Sequence, residues 1–149
     1  MKDEELFLTE RIKDLFKTSN GKYIAPQQVE SLLLVDKFID QVAVIADQRK
    51  FVSALIVPEF RLVEDWAREH HIAFSSREDL CANEQVKKML QERINTLQQQ
   101  LAYYEQIKRI TLLPHHFSME SGELTNTLKI RRPIINKNYQ AEIDKMYEE

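Results

Sequence analysis

The sequence predicts an α+β domain, with a small sheet of about three strands plus an N-terminal hairpin, covered by two or three helices. Three observations lead there. Two apolar, β-branched runs, residues 41–46 and 51–57, are joined by only the hydrophilic Asp47, Gln48, Arg49 and Lys50, which is the pattern of two paired strands and a turn. Between residues 83 and 104, Val86, Met89, Leu90, Ile94, Leu97, Leu101 and Tyr104 keep to one helical face. A chain of 149 residues with only 2 Gly and 4 Pro leaves little of itself to irregular structure.

Taken in order, Leu6, Phe7 and Leu8 form a short apolar run that opens directly into a charged segment, residues 9–26. So little precedes the first expected strand that the chain reads as a piece of something longer. Residues 14–17 and 22–25 are expected to pair across Ser19, Asn20 and Gly21, with Gly21 supplying a turn that needs positive φ. Pro26 suits the first turn of a helix reaching about Leu34, on which Val29, Leu32 and Leu33 share a face. After the central hairpin, Pro58 ends the second strand. Phe60, Val63, Trp66 and Ala67 then recur at helical spacing through about His70.

Residues 72–76 form a connector, and Ser76 caps a short turn around residues 77–80. Asn83 caps the long helix, expected to run to Tyr104 with Gln98, Gln99 and Gln100 on its solvent side. Residues 108–113 read as a third core strand stopped by Pro114. A loop over 115–121 and a turn at Gly122 precede a short extended segment, 124–130, that carries Lys129. Pro133 opens a last helix, 134–147, mixed in polarity and expected to fray. The two lysine-bearing segments lie at the margins of the sheet.

Charge and composition narrow the function. Lys plus Arg come to 21 against 24 Asp plus Glu, so no overall basic field recommends a nucleic-acid binder, and phosphate must be met locally. The single cysteine, Cys81, excludes an internal disulfide framework and a cysteine-based zinc cluster, and fits a reducing cytoplasm. No apolar h-region follows the charged N-terminus, and the apolar runs are strand-sized, too short to span a membrane.

The segment from Thr9 to Pro26 is more specific than its composition. Arg11, Lys13, Leu15, Lys17, a Gly-bearing turn, then Ile24, Ala25, Pro26 and Glu30 together resemble the hinge motif that opens the small C-terminal domain of adenylate-forming enzymes. Residues 122–132, GELTNTLKIRR, resemble the lysine motif closing that domain in the long-chain fatty acyl-CoA synthetase branch. The resemblance covers essentially the whole chain, residues 1–149, and implies the mobile C-terminal (lid) domain of a long-chain-fatty-acid–CoA ligase whose large N-terminal domain is absent from the sequence. Such a fragment is expected to be inactive alone, and cytoplasmic, with room for peripheral membrane contact in the complete enzyme.

The resemblance further implies substrates and roles. The complete enzyme would use fatty acid, ATP, coenzyme A and Mg2+, none held stably by this domain alone. Arg11 would match the arginine that meets the ribose of ATP or AMP, and Lys13 the hinge residue about which the domain rotates. Lys129 would match the catalytic lysine of adenylation, and Lys17 with Gly21 would belong to the face that receives coenzyme A. Two positions depart from the pattern: Glu10 stands where Asp or Gly is more usual, and Asn126 where the long-chain branch has Pro. Neither departure removes a charged group with an implied role.

Plainer readings stand beside these. Each lysine could be solvated surface charge. His70 with His71 and His115 with His116 suggest metal ligands, yet adjacent histidines diverge on a helix or strand and no carboxylate and cysteine set accompanies them. Cys81 has no His near it in sequence and does not read as a nucleophile. The long helix, with about three heptads of apolar stripe, could instead serve a stand-alone protein-interaction module. A regulatory nucleotide binder is a third reading, weakened by the lack of a phosphate-binding glycine loop.

Overall fold

The computed structural model describes residues 15–148. The chain first makes a short hairpin of β1 (Phe16–Lys17) and β2 (Tyr23–Ile24), antiparallel, with Phe16 opposite Ile24 and Lys17 opposite Tyr23. Gly21 in the turn has φ +82°, a backbone region open to glycine without steric cost. Helix α1 (Pro26–Leu33) follows, with Pro26 in its first turn and Val29 and Leu33 buried. The predicted hairpin and helix are both present, the hairpin shortened to its two central pairs.

A second, three-stranded sheet has the order β3-β4-β5, with β3 (Ile39–Ile45), β4 (Val52–Pro58) and β5 (Ile107–Leu112). Strands β3 and β4 pair antiparallel, as the sequence predicts, with Val44 opposite Ala54. Strand β5 is parallel to β4, with Ala54 opposite Ile110 and Ile56 opposite Leu112. A parallel neighbour cannot be reached by a tight turn. Residues 59–106 supply the crossover, through α2 (Phe60–Glu69), α3 (Arg77–Ala82) and α4 (Glu84–Leu97). Every residue of β4 is buried, as befits a central strand covered on both faces.

The helix starts follow the sequence closely. Ser76 Oγ accepts from the Asp79 N–H at 3.1 Å, and Asn83 Oδ1 accepts from the N–H groups of Gln85 and Val86 at 2.8 and 3.1 Å, satisfying donors that the first turn cannot pair internally. Val86, Leu90 and Ile94 of α4 are fully buried. Together with Leu33 of α1 and Leu80 of α3 they belong to one core against the sheet.

Helix α4 stops at Leu97, short of the expected Tyr104, and gives way to single 3-10 turns at Gln98–Gln100 and Tyr103–Glu105. Gln98 does not face solvent. It is 2% exposed, and its amide donates to the Ile107 carbonyl at 3.0 Å and accepts from the Ile107 N–H at 2.6 Å. The side chain thus imitates a strand residue and satisfies the N–H and carbonyl of the first residue of β5, which explains why a polar glutamine ends the helix facing inward.

The C-terminal region departs twice from expectation. Residues 124–130 are not one extended segment but a tight loop closed by an antiparallel bridge between Leu124 and Ile130. The last helix is two, α5 (Arg132–Asn138) and α6 (Gln140–Met146), broken at Tyr139. Nor is it left loose: Ile135, Ile143 and Met146 are buried. Tyr147 Oη accepts from Ser53 Oγ at 2.9 Å and lies 2.7 Å from the Phe51 carbonyl, while the Arg109 guanidinium donates to the carbonyls of Met146 and Glu148 at 2.7 and 2.6 Å. These contacts seal the chain end onto β4 and β5. Among the described residues no helix is long and apolar enough to cross a membrane.

Gln98→Leu keeps the volume but orphans both polar groups of Ile107, so urea unfolding should show a loss of about 1–3 kcal/mol. An unchanged midpoint would mean that Ile107 finds water instead.

Candidate functional site

Lys129 lies on a loop whose backbone is almost wholly prescribed by one threonine. The Thr125 N–H donates to the Lys129 carbonyl at 2.8 Å, and the Leu128 N–H to the Thr125 carbonyl at 2.9 Å. Thr125 Oγ1 accepts from the Lys129 and Thr127 N–H groups at 3.1 and 3.3 Å. Closing so small a loop drives Leu128 to φ +63°, a conformation uncommon for a large L-residue. Leu128 and Lys129 are both exposed. Among the described residues no hydrogen bond or ion pair engages the Lys129 ammonium. A firmly closed loop therefore presents one uncommitted cation.

The loop is anchored on both sides. Upstream, Glu123 is buried, with its carboxylate accepting from Ser121 Oγ at 2.7 Å and Asn138 Nδ2 at 3.1 Å. Downstream, the Arg131 N–H donates to the Glu123 carbonyl at 2.7 Å. Arg132, three residues past Lys129, then makes a two-pronged contact with Glu30 of α1: its Nη1 and Nη2 donate to Oε2 and Oε1 at 2.7 and 2.8 Å. Glu30 Oε2 also accepts from the Val44 N–H of β3 at 2.8 Å. The pair is largely buried, with side chains 20% and 10% exposed for Arg132 and Glu30, where such charge-assisted bonds are strong and specific in direction.

Lys17 and Gly21 belong to the other margin. Lys17 is exposed on β1, its ammonium 5.8 Å from the centre of the Tyr23 ring across the hairpin. Gly21 stands at the tip with open space around the position of a Cβ. The hairpin is seated on the β3–β4 turn, since the Gln48 N–H donates to the Lys17 carbonyl at 2.7 Å and the Ser19 N–H to the Arg49 carbonyl at 2.9 Å. No contact joins Lys17 to Lys129 among the described residues, but their neighbours meet: the Arg132 guanidinium lies 5.2 Å from the centre of the Phe16 ring. Arg11 and Lys13 lie outside the described residues.

Glu30 and Arg132 are in the motifs read from the sequence, yet their pairing is not legible there. The available signal is an acidic residue next to Val29 on a helix whose other inward positions are apolar, which requires a buried partner when it is not exposed.

The remaining polar candidates have local roles. His70 stacks on Trp66 at 4.3 Å between ring centres and its Nδ1 is 2.9 Å from the Trp66 carbonyl. His116 pairs with Asp40, and His115 lies 3.8 Å from Glu78. Among the described residues no three His, Cys, Asp or Glu side chains gather around a common point. Burial, with the Glu78 charge second, pushes the Cys81 thiol up to about 12. A thiol raised so far yields little thiolate at neutral pH, and the thiolate is the reactive form. Native protein at pH 8 should therefore alkylate with iodoacetamide far more slowly than urea-unfolded protein, as read by intact mass; equal rates would contradict the buried setting.

The small α+β fold agrees with what known proteins show. The family described as AMP-binding enzyme C-terminal domain matches residues 13–149. The chain is 34% identical over 145 residues to long-chain-fatty-acid–CoA ligase 1 of Homo sapiens, covering 95% of this chain and 21% of that protein. It is 30% identical over 150 residues to long chain acyl-CoA synthetase 2 of Arabidopsis thaliana, covering 99% of this chain and 23% of that protein. It spans, then, under a quarter of the length of these relatives. Among solved structures, the adenylation domain of a carboxylate reductase from Mycobacterium chelonae superposes with a TM-score of 0.76 at 21% identity, over 92% of this chain and 20% of that one. The fold is thus shared with adenylation enzymes, and with a family match over nearly its whole length the chain belongs to the AMP-binding enzyme C-terminal domain family.

Proposed function

We propose that the chain is the mobile C-terminal domain of an ATP-dependent long-chain fatty acyl-CoA ligase, acting with a large N-terminal domain that carries the nucleotide and fatty-acid pockets. The observation that carries this reading is the free ammonium of Lys129 on a loop held at both ends. In the first half-reaction a fatty carboxylate oxygen attacks the α-phosphorus of ATP, the bond to the β-phosphate bridge breaks, and pyrophosphate leaves. Two anions are forced together as negative charge builds on the α-phosphoryl oxygens. An ammonium delivered there stabilises the transition state more than the separated reactants.

In the second half-reaction the coenzyme A sulfur, as thiolate, attacks the acyl carbon of the acyl-adenylate, and AMP leaves as the carbon–oxygen bond breaks. Lys17 and Gly21 face this step: the hairpin tip has no side chain to obstruct a close approach, and Lys17 offers a cation beside it. Arg11 contacts the ribose, where a planar, multi-donor side chain suits vicinal oxygens, and Lys13 is the hinge on which one half-reaction gives way to the other. Mg2+ would accompany the nucleotide in the complete enzyme. The complete enzyme works in the cytoplasm, with room for peripheral contact with a membrane.

The reading is tested by acyl-CoA formation from fatty acid, ATP, Mg2+ and coenzyme A, with this chain alone and joined to the large domain encoded with it. Activity is expected only in the joined protein. Lys129→Ala should slow adenylation by about 2.7–4 kcal/mol, on the order of a hundredfold to a thousandfold, with folding unchanged by circular dichroism. Full activity in that variant would instead favour the interaction-module reading, in which α4 meets a partner protein and the lysines are surface charge.

A further inference from the structure

Glu30 stands at a junction that neither half-reaction uses directly. Its carboxylate accepts three hydrogen bonds, one from Val44 near the end of β3 and two from Arg132. Arg132 is the last residue of the lysine segment and covers Phe16, the neighbour of Lys17. One carboxylate therefore connects the sheet, the Lys129 loop and the Lys17 hairpin. The Val44 contact fixes Glu30 to the sheet, and the two-pronged geometry admits only a narrow range of guanidinium orientations. From Arg132 the constraint passes through a short stretch: Ile130 is bridged to Leu124, and the Arg131 N–H is bonded to Glu123.

We infer that Glu30, acting through Arg132, is a positioning residue for Lys129, holding its loop at a set place and angle on the domain. The inference rests on the proposed adenylation role of Lys129. It explains why a charged pair is kept where buried apolar side chains could stabilise the fold equally well: apolar contacts leave a surface loop free to slide, and a forked ion pair does not. A lysine that must reach a phosphoryl group after a domain rotation gains from that restriction, because displacement of a catalytic group by about 1 Å can cost roughly a hundredfold in rate.

The test is a double-mutant cycle in the joined enzyme, with adenylation followed by pyrophosphate exchange in wild type, Glu30→Gln, Lys129→Ala and the double variant. Glu30→Gln keeps the shape and the Val44 contact but removes the charge. It should lower kcat by about 10–100-fold with the KM for ATP changed less than about threefold. In the Lys129→Ala background the same change should cost under about threefold, since a residue that acts through Lys129 has nothing left to position. Equal losses in both backgrounds would reduce Glu30 to general structural support and overturn the inference while leaving the role of Lys129 standing. Full adenylation by Lys129→Ala would overturn both. Should Glu30→Gln fail to fold, Arg132→Lys, which keeps the charge but loses the fork, enters the same cycle with the same expected and overturning outcomes.

Discussion

The contact between Glu30 and Arg132 unites parts of the chain that lie far apart in sequence. Helix α1 follows the N-terminal hairpin, whereas α5 follows the Lys129 loop near the other end. Apolar packing alone brings such elements together but specifies their relative rotation weakly. Desolvating two charges is costly, so the pair adds little net stability, yet breaking it by removing one partner leaves the other charge buried and alone. The result is a discriminating contact: arrangements that misplace the loop by even one residue lose the fork and keep the penalty.

Much of the sheet could be read in advance because it depends on local patterning. Val42, Val44, Leu55 and Ile56 form β-branched and apolar runs around a four-residue polar turn, and this alone dictates an antiparallel pair. Ser76 and Asn83 cap as their side chains require. The direction of β5 was not legible, because a strand of its composition pairs equally well either way and the decision lies in the crossover. Nor was Gln98: periodicity counts apolar residues, and a buried amide that replaces a strand's hydrogen bonds follows a different rule. Tyr139 interrupts the last helix without a proline or glycine to announce it.

The candidate site divides along the same line. Lys17, Gly21 and Lys129 stand out from motif and turn chemistry. What places Lys129 does not: Thr125, serving three backbone groups through one hydroxyl and one carbonyl, is an ordinary threonine in the sequence. The left-handed conformation at Leu128 is likewise concealed, since leucine is the last residue one would choose for it. Such features follow from closure of the loop by the Leu124–Ile130 bridge, a tertiary event.

The parallel crossover carries a consequence for synthesis. Strands β3 and β4 are neighbours in sequence and can zip together soon after they leave the ribosome, but β5 arrives only after residues 59–106 have been made and their helices folded back. Non-local pairing of this kind is slow because loop closure precedes its reward. Meanwhile β4, apolar except for Ser53 and destined to be covered, shows one open edge to the cell. That interval is when the nascent chain is most exposed to strand-to-strand aggregation, and when a chaperone has most to protect.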